Sequence, residues 1–466
     1  MISARTYRVH FVGIGGIGMS GIAELLLNLG YQVSGSDLAE NENVARLRQL
    51  GARVQVGHSA EHLTEADVVV VSSAVRPDNP EVLSAHQRHI PVIPRAEMLA
   101  ELMRMKRGIA VAGTHGKTTT TSLLGTVLSE AGLDPTLVIG GRLNSLGSNA
   151  RLGRGEYLVA EADESDGSFL RLQPTHAIVT NIDPEHLDHF QTFEAEQQAF
   201  LQFANQVPFY GLVVACQDHP VVAALLPRIG KRVVSYGFSP QAEIRAQAAS
   251  FGERGSSFEA WRDGQRLGRV ELRLLGRHNV QNALAVIAMA DEVGVPFEIT
   301  ARALAGFQGV QRRFSLVGEI GGVRVVDDYA HHPEEIRATL AGARLCHPER
   351  RLVVVFQPHR FTRTRDLGPA FGSAFQDAHV VRLLEIYSAG ESPLPGVSGA
   401  GLMAHLAASG HPDAEFLGTP AAALDWLEAE VRPGDLVITM GAGDVWKLGG
   451  RLLERLRRRG AEDNLS

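Results

Sequence analysis

The chain has 466 residues, with Lys+Arg 45 against Asp+Glu 52 and a formal charge of −7, a balance that argues against nucleic acid as a bulk partner. Its 44% hydrophobic content without a low-complexity tract implies well-packed domains, roughly three at about 150 residues each. Two cysteines without metal or redox spacing, Cys216 and Cys346, fit a reducing compartment, and no apolar run nears the roughly 18 residues needed to cross a bilayer; the expectation is a cytoplasmic protein with no membrane segment.

The first block, residues 1–94, opens on the strand Arg8 to Val12 and a G-x-G-x-x-G turn at Gly13, Gly15 and Gly18, followed by a helix from Ile17 to Leu29. The next strand, Tyr31 to Ser36, ends at Asp37, where a Rossmann domain places its ribose-binding acid. A valine-rich strand ending at Ser72 and Ser73 delivers hydroxyls to the same edge. Alone, this block fits a nicotinamide-binding domain. Pro91 to Gly108 reads as a junction.

The second block, residues 95–310, carries the strand Gly108 to Ala112, the turn Gly113-Thr-His-Gly-Lys-Thr-Thr119 and a helix from Thr118 to Leu133. Gly-Lys-Thr between a strand and a helix is a phosphate cradle. Backbone N–H groups face the phosphates, Lys117 can reach the β/γ oxygens and the Thr118 hydroxyl can hold magnesium. The usual pattern has a glycine where Val111 stands; here it is displaced to Gly113. Strands Glu156 to Ala160 and Ala177 to Thr180 end in acidic runs, Glu161 to Asp166 and Asn181 to Asp188, which should face the cradle. Glu161 and His186 suit a metal, or are surface residues of a loop; His115 can contact a phosphate or merely fill the turn. Val233 to Leu275 reads as an antiparallel addition. His278 and Asn279 open an apolar helix, either as a cap or as an adenine site.

The third block, residues 311–466, holds strands Val323 to Val326, Arg351 to Phe356 and Asp435 to Thr439. Arg312 and Arg313 stand at the second junction, where cations can grip a phosphate or simply be solvated. Asp327-Asp-Tyr-Ala-His-His-Pro333 is too rich in chemistry for a mere turn, and Arg360 and Arg363 suit bidentate recognition of a carboxylate. Together these strand ends suit a small zwitterion or carboxylate. The basic run Arg451 to Arg459 reads as a solvated helix face.

With these motifs in order along nearly the whole chain, it resembles the Mur ligases of peptidoglycan synthesis, and among them the alanine-adding branch. The fold implied is α/β in three domains: a Rossmann-like UDP-binding domain, a central P-loop ATPase-like domain with a mostly parallel sheet, and a C-terminal Rossmann-like domain. The resemblance implies an ATP-dependent joining of L-alanine to the carboxylate of UDP-N-acetylmuramate through an acyl phosphate, with Mg2+. By it, Gly15, Gly16, Gly18, Asp37, Ser72 and Ser73 face the nucleotide sugar. Gly113, Thr114, His115, Gly116, Lys117, Thr118, Thr119, His278, Asn279 and Arg313 face ATP, and Thr118, Glu161 and His186 hold metal. Tyr329, His331, Arg360 and Arg363 hold L-alanine, and Lys117, His186, His331 and Arg360 carry the chemistry. No lysine occurs between Lys117 and Lys231, so the carbamylated lysine of several Mur ligases is absent. The rivals are a recycling ligase that attaches a murein tripeptide to the same nucleotide sugar, a nicotinamide-dependent oxidoreductase and a nucleotide-sensing protein without turnover. Oligomeric state is not legible.

Overall fold

The computed structural model describes residues 7–72, 74–139 and 150–463. Ser73 lies outside the described residues, as does the side chain of Asp188. The fold is α/β, built on three sheets. The chain divides into two compact units, one of Met1–Ala248, Phe258–Glu271 and Gln281–Gln308, the other of Ala249–Ser257, Leu272–Val280 and Gly309–Ser466.

The first sheet has five parallel strands in the order Arg53–Val56, Gln32–Asp37, Arg8–Val12, Val68–Val71, Val92–Pro94. Its centre reads as near-continuous apolar sequence because helices cover both faces. Phe11, Val12, Val69 and Val70 are fully buried. The expected junction is ordered structure: Val92–Pro94 is the edge strand and Arg95–Arg104 a helix. The reason is periodicity, for Ala96, Leu99, Ala100 and Met103 recur at helical spacing and all are buried.

In the ten-stranded sheet, Arg107–Ala112 lies between Tyr157–Glu161 and His176–Val179, parallel to both. All three strands therefore end on one edge. Ile244–Gly252, Gly255–Arg262 and Gln265–Leu272 are neighbours in this sheet, joined by the short turns Glu253-Arg254 and Asp263-Gly264. Turns of that length connect only antiparallel strands, which fits the expected antiparallel addition from Ile244 onward; Val233–Gly237, at the start of the expected range, instead pairs parallel with Leu212–Cys216 and with Ile244–Gly252.

The six-stranded sheet runs Ser315–Ile320, Val323–Asp328, Asp435–Met440, Arg351–Phe356, Val380–Leu384, Ala414–Gly418, parallel except for its first pair. Alternate residues of one strand feed two cores. Leu352, Val354 and Phe356 pack with Leu340 and Phe371, whereas Val353 and Val355 pack with Leu424 and Leu452. Each such buried side chain contributes about 1.5–3 kcal/mol.

Candidate active site

The phosphate loop is laced to the strand end beside it. Thr180 donates its hydroxyl to the carbonyl of His115 at 2.7 Å, and Asn181 both accepts from His115 N–H at 2.7 Å and donates to its carbonyl at 3.0 Å. Asp183 N–H donates to Thr114 Oγ1 at 2.9 Å. Gly113 has φ +135° and a Cβ there would overlap the Thr180 hydroxyl; Gly116 has φ +83° and a Cβ would press on Asn282 Oδ1. Both glycines are required by backbone shape and by close approach. The helix Lys117–Glu130 begins at Gly116 without a side-chain cap, so its first N–H groups can receive an anion.

Lys117 Nζ donates to both oxygens of Glu164 at 2.8 Å, to Gly113 O at 2.6 Å and to Thr114 O at 3.1 Å. Burial works against its charge, but Glu164 and Asp163 outweigh burial and leave its pKa raised. Burial lifts the Glu164 carboxyl to about 7 in spite of that lysine. Thr118 Oγ1 donates to Glu161 Oε2 at 3.1 Å, which joins two of the three expected metal residues. Such an oxygen pair suits a hard cation. His186 adopts φ +54° at the start of the short helix Leu187–Phe190, with Nε2 4.0 Å from Glu185 Oε1. Thr119 is buried in the first turn of the helix after the loop.

Around the loop the acids are held apart by local chemistry. Although burial opposes it, Asp183 is pulled well below the usual carboxylate range by His115 and His219, whose Nε2 atoms lie 3.4 and 3.2 Å from its oxygens. Glu196, fully buried, accepts Glu185 N–H at 3.3 Å and is pushed up to about 8 by burial beside Glu164, Glu185 and Asp183.

At the glycine turn of the first sheet, Gly16 starts the helix Ile17–Asn28 without a side-chain cap. Asp37 was expected at a ribose. In this structure its Oδ2 accepts Gly15 N–H at 2.7 Å, because a carboxylate at the strand end finds a loop N–H within reach. Gly18 lies under Arg95, and a Cβ on it would meet the guanidinium at 3.0 Å. Arg95 also reaches Asp163 Oδ2 at 3.4 Å. Sequence reading does not single out Arg95, which falls in the stretch read only as a junction. Ser72 sits beside Gly13, its Oγ at 3.6 Å from where a Cβ would stand.

In the second unit, Arg312 holds φ +60° and is fixed by Asp327 at 3.0 Å and by the carbonyls of Gly441 and Gly443. Arg312 and Arg313 both lie over the Tyr329 ring, at 4.9 and 5.4 Å. His331 packs edge-on to Tyr329 and to His359, and His359 stacks on Tyr387 at 5.7 Å. Burial, with His331 and the guanidinium groups of Arg363, Arg360 and Arg312 close by, pushes His359 down to about 3. Arg363 Nη1 contacts His359 Nδ1 at 3.3 Å, and Arg360 sits at φ +69° with its N–H bound to Tyr387 O. Tyr329, His331, Arg360 and Arg363 are thus brought together. His359, next to Arg360 in sequence, is not singled out by sequence reading, and Tyr387, isolated in sequence, offers no signal. His278 is pushed down to about 4 by burial and by Arg313. The Asn279 amide donates to Leu275 O at 2.8 Å and lies 3.0 Å from His278 Nε2, which fixes its direction, whereas Asn282 faces the phosphate loop.

The chain matches three family models in succession: "Mur ligase family, catalytic domain" over residues 8–107, "Mur ligase middle domain" over 111–290 and "Mur ligase, glutamate ligase domain" over 312–443. The chain belongs to the Mur ligase family. Among Mur ligases it is 59% identical to UDP-N-acetylmuramate--L-alanine ligase of an Anaeromyxobacter species, over 97% of this chain and 98% of that protein, and 57% identical to the same-named protein of a Geobacter species, over 97% and 98%. Two solved Mur ligase folds are similar. UDP-N-acetylmuramate-alanine ligase from Thermotoga maritima superposes with a TM-score of 0.81 at 32% identity, covering 97% and 100% of the two chains. A murein peptide ligase from Psychrobacter arcticus does so with 0.71 at 25% identity, covering 97% and 98%. No helix among the described residues is long and apolar enough to cross a membrane.

Proposed function

We propose that the chain is an ATP-dependent amide-forming ligase that joins L-alanine to the carboxylate of UDP-N-acetylmuramate, releasing ADP and phosphate, in the cytoplasmic synthesis of peptidoglycan on which cell shape and division depend. The observation that carries this reading is near full-length identity of 59% with an alanine ligase. The recycling tripeptide ligase is favoured less, since solved murein peptide ligases are 25% identical over 97% of this chain and 32% identical over 66% of it. A nicotinamide enzyme loses its support because the glycine turn belongs to a Mur ligase domain.

Residues 1–94 form the nucleotide-sugar domain, with Gly15, Gly16, Gly18, Asp37 and Ser72 facing the sugar nucleotide. Residues 95–310 form the ATP domain and 311–466 the alanine domain. The muramyl carboxylate attacks the γ-phosphorus of ATP, giving an acyl phosphate and ADP; the amine of L-alanine then attacks the acyl carbon and phosphate leaves. Two anions meet in the first step, so fixed cations lower its barrier. Lys117 leaves Glu164 for the β/γ oxygens, and the N–H groups of Gly113 to Thr119 cradle the phosphates. Mg2+, whose charge would screen the transferring phosphoryl, would be held by Thr118, Glu161 and His186. His278, Asn279 and Arg313 face the nucleotide, with neutral His278 suited to stacking rather than ion pairing. Arg360 and Arg363 take the alanine carboxylate, and Tyr329 and His331 orient its amine.

The test is phosphate release from ATP with Mg2+ and UDP-N-acetylmuramate, run with L-alanine, with the tripeptide and with no acceptor. Release that depends on L-alanine supports the ligase and its branch. Release with the tripeptide alone reassigns it to recycling, and no release with any acceptor removes the ligase reading.

A further inference from the structure

A second polar cluster lies beneath the glycine turn. Glu81, near the start of the helix Pro80–Gln87, is fully buried, as are Ser36 and His10. Its Oε2 accepts the Ser36 hydroxyl at 2.5 Å and lies 3.7 Å from His10 Nε2 and 3.5 Å from His58 Nδ1. Its Oε1 lies 2.8 Å from His62 Nδ1 and accepts Ser59 N–H at 3.4 Å. His58 Nδ1 and Ser36 Oγ are 2.9 Å apart, and His10 Nδ1 and Ser34 Oγ are also 2.9 Å apart. One carboxylate therefore ties together two neighbouring strands, the turn at 58–62 and a helix.

A well-packed apolar side chain would stabilise such a position as well or better. What a carboxylate adds is direction, because its partners must meet defined oxygens at hydrogen-bonding angles. The direction set at Ser36 is passed on through the backbone. The Ser36 carbonyl accepts the N–H groups of Gly13 at 2.8 Å and Ile14 at 3.0 Å, and the next residue, Asp37, accepts Gly15 N–H. Three successive N–H groups of the glycine turn thus end on residues 36 and 37.

We propose that Glu81 is a positioning residue of the nucleotide-sugar site, acting through Ser36 on the turn Gly13–Gly18. This rests on the reading that the turn receives UDP-N-acetylmuramate. The cluster sets where the start of the helix Ile17–Asn28 stands, and a displacement well under 1 Å there weakens the grip on a diphosphate.

The experiment is a binding titration of UDP-N-acetylmuramate to the wild type, Ser36→Ala and Glu81→Gln, with KM for each substrate and a thermal melt for each protein. Ser36→Ala removes the one hydroxyl that links the carboxylate to the turn. The expected result is a Kd for UDP-N-acetylmuramate raised about tenfold in both variants, with KM for ATP and L-alanine within twofold of wild type. A merely structural role would lower the melting temperature and leave that Kd unmoved. Folded Ser36→Ala with a wild-type Kd overturns the proposal, and it decides the matter even if Glu81→Gln does not fold. Absence of UDP-N-acetylmuramate binding by the wild type instead overturns the reading of the site, and the proposal falls with it.

Discussion

Glu196 is a fully buried carboxyl whose pKa rises from 4.5 to about 8. When an acid is raised on folding, the folded state holds a proton that the unfolded chain releases between those values. Stability therefore falls as pH rises from 4.5 to 8, and the loss is complete above 8. At pH 7 the unfolded chain gains 2.5 pH units of ionisation, worth about 3 kcal/mol at 1.36 kcal/mol per unit. Glu196→Gln abolishes this loss. Its amide oxygen can still accept Glu185 N–H, and leaving the amide nitrogen without an acceptor costs about 1 kcal/mol. The variant should therefore be more stable than wild type by roughly 2 kcal/mol at pH 7, with the advantage vanishing at about pH 5 and reversing to a deficit of about 1 kcal/mol below pH 4.5. Urea unfolding of both proteins at pH 5, 6, 7 and 8 measures this. Parallel pH profiles, or a variant less stable at pH 8, would refute the reasoning.

Three further outcomes are expected. Gly113→Ala must strain a φ of +135° and displace the Thr180 hydroxyl, at about 1–3 kcal/mol; KM for ATP should rise at least severalfold, and an unchanged KM contradicts the loop geometry. Lys117→Met should lower kcat by on the order of 10²–10³ and destabilise the fold by leaving Glu164 buried beside no cation. Adding Glu164→Gln should restore the unfolding midpoint but not turnover, and recovery of turnover would show that Lys117 serves only to neutralise Glu164. Arg363→Lys loses the planar fork, so KM for L-alanine should rise about tenfold with KM for ATP unmoved; equal rises in both would argue for a general folding defect.

Much of the scaffold was readable because its signals are local. Apolar runs bounded by glycine turns specify buried parallel strands, and the strands at Arg8–Val12 and Arg351–Phe356 stand where their sequences put them. The phosphate turn was equally legible, since Gly113, Gly116 and Lys117 are constrained by backbone shape and charge within a few residues. The ordered strand and helix after Pro91 were not legible, because the proline and basic residues there look like punctuation, while the buried face of Arg95–Arg104 depends on what packs against it.

What the sequence determined by itself, then, is the order of elements and the chemical stock of each strand end, because both follow from spacing within one segment. Which partner each charged group meets was decided only by the fold. Asp37 turns onto Gly15 N–H, Lys117 rests on Glu164, and Glu196 becomes neutral in the working range. In each case the outcome depends on desolvation and on neighbours from distant segments, 22 residues away for Asp37 and 47 for Lys117. Burial multiplies electrostatic energies that water would otherwise screen, and burial is a property of the packed chain alone.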